Sequence, residues 1–249
     1  MKFWIAAIGA FVLFTFSGCG VLRRNRMSNH HGIVKSDFGL PVITYPSSNP
    51  FSRRILILFS GDGGWVDFED KLATEFSKKG YFVIGFNSRD YFWEKKTPQQ
   101  ASNDIFQLAQ KYMELYKSNR LFMCGYSFGA DVLPFIYNRF PEQLKSKVIA
   151  VAMLSPFATS DFMVHTSDLL NLAEDNNPYK VRPEVEKIEI PMYCVYGKNE
   201  NPKPLNGILL KNFSLSTVPG NHRYEISSYN RISNIFNPVR RFFQTPIFK

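Results

Sequence analysis

Cysteine and histidine are scarce in this 249-residue chain, with three of the first and four of the second. Neither type shows metal-ligand spacing, so no metal site is indicated. Cys124 and Cys194 lie in apolar, strand-like runs. There a free thiol behaves as a small core hydrophobe, and no disulfide between them is expected. Blocks of like charge are also missing, although 30 Lys and Arg against 21 Asp and Glu give a formal net charge of +9. An excess dispersed in this way does not indicate nucleic-acid binding. The glycine-rich string Ser60-Gly61-Asp62-Gly63-Gly64-Trp65 has no Gly-Lys-Ser or Gly-Lys-Thr, so it is not a phosphate loop. No organic cofactor is implied, and no internal repeat or low-complexity tract is present.

The one marked apolar run at the start, residues 3–16, is too short to span a bilayer comfortably. Preceded by Lys2, it reads as an export signal. Phe16-Ser17-Gly18-Cys19 resembles the bacterial lipobox, in which the cysteine thiol receives a diacylglyceryl group and the chain is cut just before it. Ordinary signal cleavage and an uncleaved anchor are the alternatives. Two acyl chains suffice for stable anchoring, since each buried methylene contributes about 0.8 kcal/mol. Arg23, Arg24 and Arg26 follow, either touching anionic headgroups or forming a solvated linker. The expected organisation is a lipoprotein signal peptide at 1–18, a linker at 19–31 that includes His30 and His31, and one domain at 32–249. The protein is thereby expected at the bacterial cell envelope, lipid-anchored through Cys19, with the membrane surface as a partner.

Within that domain, apolar runs at 55–59, 81–86, 121–124, 148–154, 190–196 and 213–218 alternate with helical patterns at 67–79, 98–116, 130–140 and 226–243. Such alternation predicts an α/β fold, a mostly parallel sheet with helices on both faces. Residues 33–45 add one or two antiparallel edge strands, with Pro41 limiting the ladder. Residues 157–191 carry few strand signals and three prolines, and are expected as a helical insertion over the carboxyl edge of the sheet.

Gly125-Tyr126-Ser127-Phe128-Gly129 stands between an apolar run and a helical pattern. By composition alone a G-x-S-x-G string occurs in roughly one random chain of this length in ten, so the strand–turn–helix context carries the signal. Flanking glycines allow a sharp turn and hold the serine hydroxyl at a helix N-terminus. Ser127 is the expected nucleophile.

A serine hydroxyl needs a base held in one tautomer by an acid. His222, in Pro219-Gly220-Asn221-His222, follows the last strand and is the expected base, with His165 in the insertion as the lesser candidate. Glu200, after the strand at 190–196, gives the chain order Ser, acid, His of an α/β-hydrolase, and Asp161 is its rival. Charge developing on the substrate oxygen needs preorganised donors. The Ser60–Trp65 loop follows a strand, so the N–H of Gly61 or Asp62, with that of Phe128, is expected to form the oxyanion hole.

Together the strings Ser60-Gly61-Asp62-Gly63-Gly64-Trp65, Tyr91-Phe92-Trp93-Glu94-Lys95-Lys96-Thr97-Pro98, Gly125-Tyr126-Ser127-Phe128-Gly129-Ala130-Asp131-Val132-Leu133-Pro134-Phe135 and Pro219-Gly220-Asn221-His222 resemble the bacterial virulence protein family of AcvB and VirJ. This is an α/β-hydrolase group of exported proteins, and the resemblance covers about residues 55–224. It implies an α/β-hydrolase fold and periplasmic hydrolysis of aminoacyl-phosphatidylglycerol, particularly its lysyl ester, with Ser127 as nucleophile and His222 as base. Some members are linked to type IV secretion, which makes envelope or secretion proteins candidate partners beside the phospholipid. The chain departs from the family in reducing an acidic cluster after the strand at 190–196 to Glu200, and in carrying a lipobox.

A lysyl ester bears two ammonium groups, and Asp62 and Asp131 lie in motifs expected to converge on Ser127. Either could receive the α-ammonium or merely stabilise a local turn. Trp93 and Lys95 follow another strand and are candidates to grip acyl chains and phosphate, with core packing and plain solvation as the alternatives. The competing functions are a general carboxylesterase or lipase and a non-catalytic assembly factor on a hydrolase scaffold.

Overall fold

Strand side chains alternate between faces, and in this chain both faces are apolar. Ile55, Ile57 and Phe59 join one buried cluster with Leu121 and Met123, while Leu56 and Leu58 join a second with Phe122 and Cys124. A sheet with this pattern must be covered on both sides. The protein is described here by a computed structural model that covers residues 31–165 and 177–242.

Along the chain run β1 (Ile33–Asp37), β2 (Leu40–Tyr45), β3 (Arg54–Phe59), α1 (Asp67–Lys78), β4 (Tyr81–Phe86), α2 (Ser88–Tyr91), α3 (Pro98–Leu115), β5 (Arg120–Tyr126), α4 (Phe128–Asn138) and α5 (Glu142–Lys145). Then come β6 (Val148–Leu154), β7 (Thr159–Ser160), β8 (Tyr179–Lys180), α6 (Val181–Val185), β9 (Met192–Gly197), β10 (Phe213–Val218), a 3₁₀ turn (Ile226–Ser228), α7 (Tyr229–Ser233) and α8 (Asn237–Phe242). Eight strands form one sheet in the order β1-β2-β4-β3-β5-β6-β9-β10. β2 pairs antiparallel with β1 and β4, and every other pairing in that sheet is parallel. The expected edge strands, parallel core and two-sided covering are all present.

Leu72 and Phe76 of α1, with Ile232, Phe236 and Val239 near the C-terminus, cover one face. Ile105 and Leu108 of α3, Val132 and Ile136 of α4, and Val181 and Val185 of α6 cover the other. Each large apolar side chain so buried contributes roughly 1.5–3 kcal/mol. Cys124 and Cys194 are free and buried. They belong to opposite faces, with β6 between their strands.

Local signals account for the longest helix among the described residues. Thr97 Oγ1 accepts the Gln100 N–H (3.1 Å), the Gln100 side chain accepts the Thr97 N–H (2.8 Å), and Pro98 occupies the first turn. The C-terminal helical pattern is not one helix but three short pieces. Asn234, Ile235 and Asn237 donate to the residue three back, and Pro238 has no N–H to continue the ladder. The segment after β6 also differs from expectation. Its described part holds a two-stranded ribbon, β7 with β8, besides the short α6, and residues 166–176 lie outside the described residues, as do Cys19, His30 and the expected signal peptide. His31, expected in the linker, donates its backbone N–H to Asp70 Oδ1 (2.6 Å).

Candidate functional site

All six parallel strands run in one direction, so the segments after β3, β4, β5, β6, β9 and β10 gather at one edge of the sheet. Ser127 follows β5 in a tight elbow with φ 51° and ψ −124°, a left-handed conformation costly for a residue with a Cβ. The turn depends on its glycines. A Cβ on Gly125 would lie 2.3 Å from the carbonyl oxygen of Gly129, and one on Gly129 would lie 2.5 Å from that of Ser60. The Ser127 N–H donates to the Leu154 carbonyl (2.8 Å), tying the elbow to β6.

Three side chains meet in series here. Ser127 Oγ lies 2.9 Å from His222 Nε2, and His222 Nδ1 lies 2.8 Å from Glu200 Oε1. Glu200 Oε2 accepts the Ser155 hydroxyl (2.6 Å) and the Gly197 N–H (2.9 Å). Burial raises the Glu200 carboxyl, but hydrogen bonds from His222, Ser155 and Gly197, with the His222 charge, prevail and hold it below its ordinary 4.5. An ionised Glu200 demands the proton on Nδ1 of a neutral His222, which leaves Nε2 free to accept from Ser127. Such a series can take a proton from a hydroxyl and return it to a leaving group.

The histidine loop is held closely. The Tyr126 hydroxyl donates to the His222 carbonyl (3.0 Å), and the Phe157 ring lies 5.0 Å from the imidazole. A Cβ on Gly197 would come 2.1 Å from the Asn221 carbonyl oxygen. Ser155, with φ 50°, and Tyr224, whose hydroxyl lies 2.6 Å from Ser155 Oγ, complete the support. Sequence reasoning missed both. The only available signal for Ser155 was its place directly after an apolar strand.

Asp161, the rival acid, pairs instead with His165 and accepts the Met163 N–H (3.3 Å). The oxyanion expectation needs one correction. The Gly61 N–H points to Glu69 Oε1 (3.3 Å), so it is already taken. Asp62 and Phe128 remain as candidate donors. Phe128 is the first residue of α4, where backbone N–H groups lack intrahelical acceptors. The far end of the loop is anchored by Trp65, whose indole donates to the Tyr45 hydroxyl (2.8 Å), itself bonded to Asp70.

Asp131 is 3% exposed, one turn into α4. Its Oδ1 accepts the Phe157 N–H (2.6 Å). Burial pushes its carboxyl well above the ordinary 3.8, the Phe157 N–H opposes this, and the charge of half-buried Asp62 adds to it. Trp93 is half-buried with the Arg89 guanidinium 5.7 Å over its ring, and Lys95 is exposed. No described hydrogen bond or ring contact joins either to Ser127, His222 or Glu200, so the structure does not bring them into this cluster. Among the described residues, no group of three His, Cys, Asp or Glu side chains could hold a metal ion.

Comparison with known proteins agrees with this architecture. The family model described as bacterial virulence protein (VirJ) matches residues 53–241. No curated protein matches the chain in sequence. Among solved structures, Est1E from Butyrivibrio proteoclasticus superposes with a TM-score of 0.57 at 15% identity, covering 85% of this chain and 97% of that one. An esterase from Pyrococcus furiosus gives 0.54 at 14% identity, covering 84% and 92%. The type II thioesterase BorB from the borrelidin biosynthetic cluster gives 0.56 at 16%, covering 83% and 99%. At such identities the likeness concerns the fold, which is that of the α/β-hydrolases.

Proposed function

Given that the chain belongs to the bacterial virulence protein (VirJ) family, we propose that it is a membrane-tethered serine hydrolase that cleaves the aminoacyl, particularly the lysyl, ester of aminoacyl-phosphatidylglycerol. The observation that carries this reading is the hydrogen-bonded series Ser127, His222, Glu200 at the carboxyl edge of the sheet. Ser127 Oγ attacks the ester carbonyl as His222 Nε2 takes its proton. The carbonyl oxygen gains the negative charge and accepts from the Phe128 N–H and a loop amide at Asp62. The bond to the glycerol oxygen then breaks, and that oxygen leaves with the proton from His222. Water, deprotonated by His222, attacks the aminoacyl-serine in turn, releasing the free amino acid and restoring Ser127. Throughout, Glu200 holds the imidazole tautomer and stabilises the imidazolium.

The cationic acyl group is supported by Asp131. A buried carboxyl at this edge of the sheet gains from a ligand that brings a positive charge, so Asp131 receives the substrate α-ammonium. Anchoring through Cys19 keeps the enzyme at the periplasmic side of a membrane where the lipid resides, and basic charge suits an anionic bilayer. A secretion partner follows from the family alone.

The test incubates purified protein with lysyl-phosphatidylglycerol vesicles and reads the lipids and free lysine by mass spectrometry. Loss of the lysyl lipid, with phosphatidylglycerol and lysine appearing together, supports the proposal. Hydrolysis of simple esters without turnover of this lipid points to a general carboxylesterase. Inactivity on both points to a scaffold.

A further inference from the structure

Beneath the glycine-rich loop lies a carboxylate that the motif patterns do not reveal. Glu69, at the third position of α1, is 1% exposed, and both its oxygens face the loop. Oε1 accepts the Gly61 N–H and Oε2 the Val66 N–H, each at 3.3 Å. Val66, which precedes α1, has no side-chain oxygen with which to cap it, so the return bond from Glu69 is the half of a capping box that this residue pair can make.

The loop that Glu69 grips is the one that touches the elbow. A Cβ on Gly61 would come 3.4 Å from Ser127 Cβ. Between the gripped ends the loop closes on itself, with the Gly64 N–H donating to the Gly61 carbonyl (3.1 Å) and the Gly63 N–H to Asp62 Oδ1 (2.9 Å). One buried side chain thus holds both ends of a short segment whose middle carries the Asp62 amide.

We infer that Glu69 is a positioning residue for the proposed reaction, fixing through Gly61 and Val66 the loop amides that flank Ser127. This rests on the serine-hydrolase reading and adds to it a requirement that Glu69 be ionised. A carboxylate accepts two N–H groups, whereas a carboxylic acid turns one oxygen into a donor facing a donor. Burial, opposed by the backbone N–H bonds and reinforced by Asp62, pushes Glu69 up to about 7. The titratable groups that face it are Asp62 from the loop, Tyr45 from β2, Tyr126 from β5 and Tyr229 from α7, with Asp67 and Asp70 on its own helix. Protonation near neutrality therefore loosens the loop.

The experiment measures ester hydrolysis against pH for the full chain and for Glu69→Gln. The amide keeps the shape and loses one acceptor. The expected kcat falls by about tenfold or more, since a misplaced oxyanion donor acts on the transition state, while KM stays within about twofold. On the acid side the wild-type log(kcat/KM) should rise with pH about one unit of slope more steeply than that of the variant, because the Glu69 carboxyl must lose a proton and an amide has none to lose. A variant kcat within about twofold of wild type, or acid-side slopes that are the same for the two proteins, overturns the role of Glu69. Should Glu69→Gln not fold, Glu69→Asp, whose carboxylate is one methylene too short to hold both N–H groups, is judged by the same kcat criterion. A wild-type protein inactive on every ester and unlabelled by fluorophosphonate overturns the serine-hydrolase reading itself, and this outcome is distinct from an active enzyme indifferent to Glu69.

Discussion

Replacing Glu200 by Gln changes one oxygen to nitrogen and leaves the shape of the site intact. The carboxylate now accepts three donors, His222 Nδ1–H at Oε1 and both Ser155 and Gly197 at Oε2. A glutamine has one carbonyl oxygen for those positions. The doubly bonded Oε2 position retains it, which places the amide NH₂ opposite His222 Nδ1. To accept from that NH₂, His222 must carry its proton on Nε2, and it then faces Ser127 Oγ as a donor. The base is lost while its position is kept. A wrong-tautomer imidazole in a serine–histidine–acid series costs on the order of 10³–10⁴ in kcat, or about 4–5.5 kcal/mol of transition-state stabilisation. Initial-rate hydrolysis of a chromogenic ester measures it, with circular dichroism to establish that the variant folds. A folded Glu200→Gln enzyme that keeps more than about a tenth of wild-type kcat would refute the reasoning.

Acid stability depends on the same carboxylate. Its folded value lies below the ordinary 4.5, so its contribution is fully present above the unfolded value and is lost as pH falls through the folded one. Glu200→Gln should therefore lose less stability between pH 5 and pH 2 than wild type, as read by denaturant unfolding at each pH, and equal losses would contradict the shift. Gly125→Ala should lower stability by about 1–3 kcal/mol and depress kcat, because its Cβ would meet the Gly129 carbonyl oxygen at 2.3 Å and backbone cannot swing aside as a side chain can. Unchanged thermal unfolding would show that the elbow has room. Asp131→Asn should lower the preference for lysyl over neutral acyl esters by about tenfold or more, the scale of a lost charged hydrogen bond, and an unchanged kcat/KM ratio would remove Asp131 from ammonium recognition. Burial raises the Cys124 and Cys194 thiols, so a thiol reagent should label neither until the protein is denatured. Labelling in the native state, mapped by peptide mass, would contradict the packing.

Much of the fold is legible because strand burial leaves a local trace. Leu56 and Ile57 point to opposite faces, and both are apolar because helices cover both. The elbow is legible for the same kind of reason, since Gly125 and Gly129 answer to sterics within a few residues of Ser127. Ser127, Glu200 and His222 could be nominated from their places after strands, and the structure brings them into one hydrogen-bonded series. What escapes the sequence depends on distant partners. Ser155 meets Glu200, and Tyr224 meets Ser155, only because β6, β9 and β10 lie side by side. The Gly61 amide, nominated as a donor to substrate, is occupied by Glu69 from the next helix, and no local pattern separates that glutamate from a solvated one. The C-terminal break is a different case. Its signal, Pro238, was present, but the apolar periodicity on either side of it masked the interruption.

Whether Ser127 acts as a nucleophile made competent by His222 is decided by covalent labelling. Wild-type protein and Ser127→Ala are treated with a fluorophosphonate, weighed intact, and the adduct is mapped to a peptide. One adduct per wild-type chain is expected, on Ser127, with none on the alanine variant and its hydrolytic activity abolished. An adduct on another residue, or ester hydrolysis that survives in Ser127→Ala, would contradict it.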